Sequence, residues 1–248
     1  MGKVHWDNKI EASVKSEVLV DSNEVVSEVE DEVEVLNEEE IMEYTTNLPE
    51  EAVSKIEDAL HTGEPVHLVI LGSTSSPESG GWPTLLKENL NDTYGDEVLK
   101  VTVKEIAEKT STQIVSEGLY DEVVNANPDI LLFEPFLLYD NLNVVGVNER
   151  IDNINYMIKE FEKGNPDLLV LLQPANPLYN AVNYPVEVPV LEKYAEENHY
   201  TYLNHWEAWP DQYSVEMTNY LDGLLPNESG HEVWAQYLID YFIASEKN

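Results

Sequence analysis

From Val66 onward, short apolar runs alternate with stretches in which apolar residues recur every three or four positions. Val66–Leu71 (VHLVIL), Ile130–Phe133 (ILLF) and Leu168–Leu172 (LLVLL) are short enough to be strands buried on both faces. Val98–Val103 and Thr201–Leu203 are the two further strand candidates. Between them the spacing turns helical: Ile151, Ile154, Met157, Ile158 and Phe161 mark one face of a helix over Ile151–Glu162. Further helices are expected at about Trp82–Leu90, Thr112–Val124, Val186–Glu197 and Gly230–Ile243. Ahead of the first strand, Val53, Ile56 and Leu60 share a face over Pro49–Leu60, and Gly63 follows as a stop signal.

Near-continuous apolar strands separated by amphipathic helices predict a parallel sheet covered on both faces, a three-layer α/β/α sandwich with five strands. Ligands of such sheets collect outside the carboxyl ends of the strands. That rule directs attention to Gly72–Ser76, Glu134–Asn141, Gln173–Asn176 and Asn204–Trp209.

Upstream the pattern fails. From Asp21 to Glu43 acidic residues and Val alternate without one Lys or Arg, so like charges repel and little apolar area offsets chain entropy. Residues 1–46 are therefore expected to form an acidic, flexible tail, either an interaction segment or a solvated spacer, ahead of one domain over 47–248. The whole chain carries 49 Asp+Glu against 13 Lys+Arg, a net charge of -36, which argues against nucleic acid or an anionic membrane face as a partner. With no cysteine, disulfides, thiolate metal sites and a Cys nucleophile are excluded. No apolar run approaches the ~18 residues that span a bilayer. A cysteine-free, acidic domain on a polar stalk is expected at the cell surface or outside the cell, after removal of a signal or anchor, with the cytoplasm as the alternative.

Two segments could carry chemistry. Gly72-Ser73-Thr74-Ser75-Ser76 puts hydroxyls at the end of the first strand, where they serve as a nucleophile or as ordinary loop and cap residues; the Lys and Gly spacing of a phosphate loop is absent. Near the C-terminus stands Asp222-Gly223-Leu224-Leu225-Pro226-Asn227-Glu228-Ser229-Gly230-His231, leading into the last helix. Strand–Gly–hydroxyl loop, central strands, then D-G-x-x-P-N-x-x-G-H before a final helix resembles the SGNH/GDSL hydrolase family, over about His67 to Phe242. The resemblance implies a flavodoxin-like sandwich, hydrolysis of acyl or acetyl esters on lipids or polysaccharides, and no metal or cofactor.

By the same resemblance, Thr74 (or neighbouring Ser73) falls at the nucleophile position, Asn141 is the nearest side-chain oxyanion donor and Asp222 orients the base. The departures are specific. The family's G-D-S reads Gly72-Ser73-Thr74 here, and its D-x-x-H-P reads Asp222-Gly223-Leu224-Leu225-Pro226, with Leu225 where the imidazole belongs. The oxyanion Gly would fall near Glu108-Lys109-Thr110, where there is none. Losing one member of such a triad costs about four to six orders of magnitude in turnover.

His205, just after the fifth strand and flanked by Trp206 and Trp209, is the candidate substitute base, or else a packed residue; His231 at a helix start reads as structural. Trp82, Trp206, Trp209, Tyr179 and Tyr184 either form an aromatic groove for sugar rings or acyl chains, or pack helices and loops. No spacing of a metal site occurs. Two readings result: an ester hydrolase acting on a small acyl ester or an O-acylated glycan, or a non-catalytic domain binding a glycan, lipid or protein through the same crevice.

Overall fold

The computed structural model describes residues 38–245. Helix α1 (Glu38–Tyr44) and helix α2 (Glu50–Thr62) lead into strand β1 (Val66–Gly72), helix α3 (Gly81–Tyr94) and strand β2 (Leu99–Glu105). Helices α4 (Ser111–Glu117) and α5 (Asp121–Ala126), strand β3 (Ile130–Phe133), and helices α6 (Leu137–Leu142) and α7 (Val147–Gly164) follow. The chain continues through strand β4 (Leu169–Leu172), helix α8 (Tyr184–Glu197), strand β5 (Thr201–Tyr202), the small hairpin β6 (Leu221–Asp222) and β7 (Leu225–Pro226), and helix α9 (Glu228–Phe242).

Five strands form one sheet in the order β2-β1-β3-β4-β5, every pair parallel. Strand residues alternate between two cores, as the two-residue period of a pleated strand requires. Leu68, Ile70, Ile130, Leu132, Leu169 and Leu171 face one layer, where α1, α2, α3 and α9 lie. Val69, Leu71, Leu131, Phe133, Val170 and Leu172 face the other, against α4 to α8. The expected α/β/α sandwich with a five-stranded parallel sheet is the observed one.

Two boundaries differ. Ile41 of α1 is 4% exposed within the first core, and the Ala244 amide donates to the Tyr44 carbonyl at 2.9 Å, so the segment from Glu38 packs on the domain instead of belonging to a tail ending at 46. The rest of the expected tail, residues 1–37, lies outside the described residues. The helix expected over Thr112–Val124 is two. Thr110 and Gln113 form a reciprocal capping box at the start of α4, and Gly118 ends it in the left-handed region at φ 68°.

The last block of the sequence has a mechanical explanation. Asn227 caps α9, its side chain accepting from the Gly230 amide at 3.1 Å. A Cβ on Gly230 would lie 2.2 Å from the Tyr220 carbonyl oxygen, a backbone atom that cannot swing aside. Gly230→Ala is therefore expected to destabilise the fold by roughly 3 kcal/mol or more, seen as a lower midpoint in urea unfolding.

Candidate active site

The loop after β1 turns tightly because Gly72 has no side chain: a Cβ there would sit 2.5 Å from the Ser76 Cβ and 3.1 Å from Glu134 Oε2. This close approach lets the Ser73 amide and hydroxyl both donate to Glu134 Oε2, at 2.7 and 2.6 Å. The other carboxylate oxygen accepts from the Phe136 amide at 3.1 Å. Glu134 is fully buried. Burial pushes its carboxyl from 4.5 to about 7, against the opposing pull of the Ser73, Phe136 and Ser76 hydrogen bonds.

Glu134 thus belongs beneath the site, tying the end of β1 to the end of β3. Its titration has a definite sign. Between about pH 4.5 and 7 the unfolded chain gives up this proton while the folded protein keeps it, so the contribution to stability is complete below 4.5 and declines as pH rises to 7. Glu134→Gln is expected to remove this decline, about 3 kcal/mol across the window. Urea-unfolding free energies of parent and variant, measured from pH 4.5 to 7.5, check it.

The neighbouring hydroxyls are held too. Thr74 Oγ1 accepts from the Glu108 amide at 3.2 Å, and Glu108 adopts φ 54°, a left-handed conformation that glycine takes more readily. The resemblance called for a glycine near this place; the conformation is kept with a glutamate, and its N–H points at the nucleophile position. Ser75 Oγ donates to Asn176 Oδ1 at 2.8 Å, and Asn176 Nδ2 donates to the Leu224 carbonyl at 3.1 Å. One asparagine after β4 therefore joins the β1 loop to the C-terminal hairpin, whose turn is made by Gly223 at φ 64°.

Between these loops lies a crevice of about 340 Å³. Ser73, Thr74, Ser75 and Glu108 line one side of it. Leu138, Tyr139 and Leu142 of α6 form a second wall, and Asp222, Leu224 and Leu225 of the hairpin a third. Thr74, Ser73 and Asp222 therefore converge at the carboxyl edge of the sheet. Asp222 is exposed, with no hydrogen bond or ion pair to its carboxylate among the described residues. Leu225 presents carbon to the same crevice and is 37% exposed.

Asn141 and His205 stand elsewhere. Asn141 Nδ2 donates to Glu187 Oε1 at 2.7 Å, and Glu187 in turn pairs with Arg150, so this amide is directed away from the crevice as an oxyanion donor. His205 is fully buried on the opposite face of the sheet from α6, its ring stacked on Trp234 with centroids 4.0 Å apart and planes at 6°. Its Nδ1 accepts from Trp209 Nε1 at 3.0 Å and its Nε2 faces the Pro174 carbonyl at 2.9 Å, an arrangement that fixes the Nε2–H tautomer. Burial lowers its pKa to about 3. With both nitrogens engaged, the ring has no lone pair left for Thr74, and the base role expected of His205 does not fit this geometry.

His231 accepts from the Trp82 amide at the start of α3, which is the structural role expected of it. Trp82 and Trp209 are buried, Tyr184 likewise, and Trp206 is half-buried with its Nε1 bonded to the Ala175 carbonyl. Only Tyr179 of the five aromatics is exposed, so the expected aromatic groove is mostly packing. Among the described residues no group of His, Asp and Glu is arranged to hold a metal ion. None of the described helices is long and apolar enough to cross a membrane.

No family-wide sequence pattern matches the chain, and no curated protein does. Solved structures do. A GDSL-like lipase from Parabacteroides merdae superimposes with a TM-score of 0.61 at 12% identity, over 72% of this chain and 96% of its own. The acetylxylan esterase Axe2 from Geobacillus stearothermophilus gives 0.58 at 14% identity, over 73% and 95%. A G-D-S-L family protein from Desulfitobacterium hafniense gives 0.56 at 16% identity, over 71% and 99%. The chain has the fold of the SGNH/GDSL hydrolases, and at these identities the likeness concerns the fold alone.

Proposed function

We propose that this domain holds an acyl ester in the crevice at the carboxyl edge of its sheet, with hydrolysis weak or lost. One observation carries the reading. Leu225 lines the crevice beside Asp222, in the position where the family resemblance calls for the imidazole, and no histidine among the described residues lines the same crevice. A neutral hydroxyl attacks a carbonyl only as a base removes its proton, and leucine accepts none. Much of the rest of an ester site is kept: hydroxyls over a backbone N–H, and leucine walls that suit an acyl group.

An acyl group suits these walls better than a sugar ring, because four leucines line the crevice and none of the five candidate aromatics does. An O-acylated glycan fits only through its acyl group. The acidic, cysteine-free chain accords with a place at the cell surface.

The test is the hydrolysis of p-nitrophenyl acetate and butyrate by the purified chain. The expected rate is at most about 10³-fold over the uncatalysed one and is the same in Thr74→Ala and Ser73→Ala, since triad loss leaves only oxyanion and binding effects. Turnover that falls a hundredfold or more in Thr74→Ala would show that a base operates and sink the reading. Ethyl octanoate binding, followed by intrinsic tryptophan fluorescence or calorimetry, should weaken about tenfold or more in Leu142→Asp.

A further inference from the structure

Resting on the acyl-pocket reading for its choice of lipid, we propose that the rim of the crevice docks on a neutral, zwitterionic lipid surface. The argument starts from where charge is missing. One residue in four of the chain is charged, yet residues 135–148 after β3 carry only Asp140, and residues 173–186 after β4 carry none. Asp140 is buried, accepting from the Ser111 amide at 2.7 Å, and the nearby Arg150 is buried against Glu187. These two neighbouring stretches thus present no exposed charge from a protein whose net charge is -36.

What they present instead is aliphatic. Leu142, Val144, Val182 and Val186 stand exposed, with Val144 at 87% and Val182 at 77%, as do Val215 and Leu224 of two other loops that also carry the exposed Asp211, Glu216 and Asp222. Hydrogen bonds tie the loops that carry them to one another. Asn141 to Glu187 joins the Leu142–Val144 loop to Val186 at the start of α8. The Asn180 amide to the Gln212 carbonyl, 3.0 Å, joins the loop of Val182 to that of Val215. Asn176 reaches the Leu224 carbonyl, and Leu142 and Leu224 line the crevice itself.

Val144 is the most telling of these. It is a β-branched residue held at φ 58°, a conformation that such side chains avoid and that Asn or Asp adopts more easily. Strained, solvent-facing aliphatics of this kind occur where function over-rides local preference. A bilayer surface supplies both an apolar layer for the rim and acyl chains for the pocket it surrounds, and the acidic remainder of the chain selects against anionic headgroups.

Vesicle flotation with the full chain tests this. The protein should float with phosphatidylcholine vesicles, and less with vesicles containing phosphatidylglycerol. Val144→Asp and Val186→Asp should each cut partitioning about tenfold or more, while thermal midpoints hold or rise and ethyl octanoate binding is unchanged. Failure to float, with ethyl octanoate still bound, overturns the docking surface and leaves the pocket reading intact. Flotation that both Asp variants retain also overturns it. So does a concentration-dependent dimer that the same variants dissociate, because the rim would then be an interface between copies. Flotation lost in the variants, in a chain that binds no ethyl octanoate, upholds the surface and removes the pocket.

Discussion

Replacing Leu225 with histidine together with Thr74 with serine is expected to raise p-nitrophenyl acetate turnover about 10²- to 10³-fold over the parent. The geometry makes this the largest gain available from two side chains. Residue 225 faces the crevice that Thr74 and Asp222 line, and its 37% exposure lets an imidazole replace it without entering the core. Asp222 pairs with residue 225 across the two-residue turn of the β6–β7 hairpin, so its unpaired carboxylate stands close enough to orient a new ring. Serine at 74 keeps the oxygen beside the Glu108 amide and restores the hydroxyl type of the family's nucleophile position.

The gain should fall short of a native triad, whose members each contribute about four to six orders of magnitude, because no evolved contacts hold the new ring. Leu225→Asn, of similar size and without a titratable nitrogen, should gain nothing. Turnover should rise with pH through the ordinary histidine range. A double variant no faster than Leu225→Asn would mean that residues 74, 222 and 225 do not form a proton relay even when supplied with one.

The largest loss is expected at His205. Changing it to alanine should cost roughly 3–5 kcal/mol and lower the thermal midpoint by about 10 °C or more. Three deficits add up. The stack on Trp234 is lost and a cavity opens beside it; Trp209 Nε1 and the Pro174 carbonyl are left buried without partners. Parent and variant should also differ in their response to acid. The folded protein keeps this imidazole neutral down to about pH 3, while the unfolded chain takes up a proton near 6.5. Its contribution is therefore present above 6.5 and is lost as pH falls toward 3, a dependence that His205→Ala abolishes. Circular dichroism melts at pH 7 and pH 5 check both points. A variant that melts like the parent would contradict the packed role and return His205 to the list of candidate bases.

The sheet was legible because three of its five strands are unbroken apolar runs or strict alternations, a fourth departs from an apolar run only at His67, and the helices between them keep a clear spacing. Elements without such a signature were missed. Helix α1 reads as acidic coil because only Ile41 and its neighbours mark a buried side. Helix α6 is too short to show a period, and the two-residue strands of the β6–β7 hairpin have none. Gly118 inside an otherwise helical stretch was the readable sign that α4 and α5 are separate.

In the site, Thr74 and Asp222 were placed by motif, and the structure puts both on one crevice. Glu134 was noticed at a strand end, but its burial depends on Gly72 permitting a contact that spacing does not reveal. Asn176 stood out only as the end of the Gln173–Asn176 segment, since its role lies in bonds to Ser75 and Leu224, 101 and 48 residues away in sequence. His205 misled for the opposite reason. Its position after β5 suggested the site edge, whereas its side chain follows the alternation of the chain inward to Trp234.

Intact-mass analysis after incubation with a fluorophosphonate probe bears most directly on the central claim, because such probes mark hydroxyls activated by a base. The parent should remain unmodified, and the Leu225→His, Thr74→Ser variant should gain one adduct on the peptide carrying residue 74. A stoichiometric adduct on Thr74 or Ser73 of the parent would contradict the claim that, without an imidazole, nothing in this crevice activates its hydroxyls.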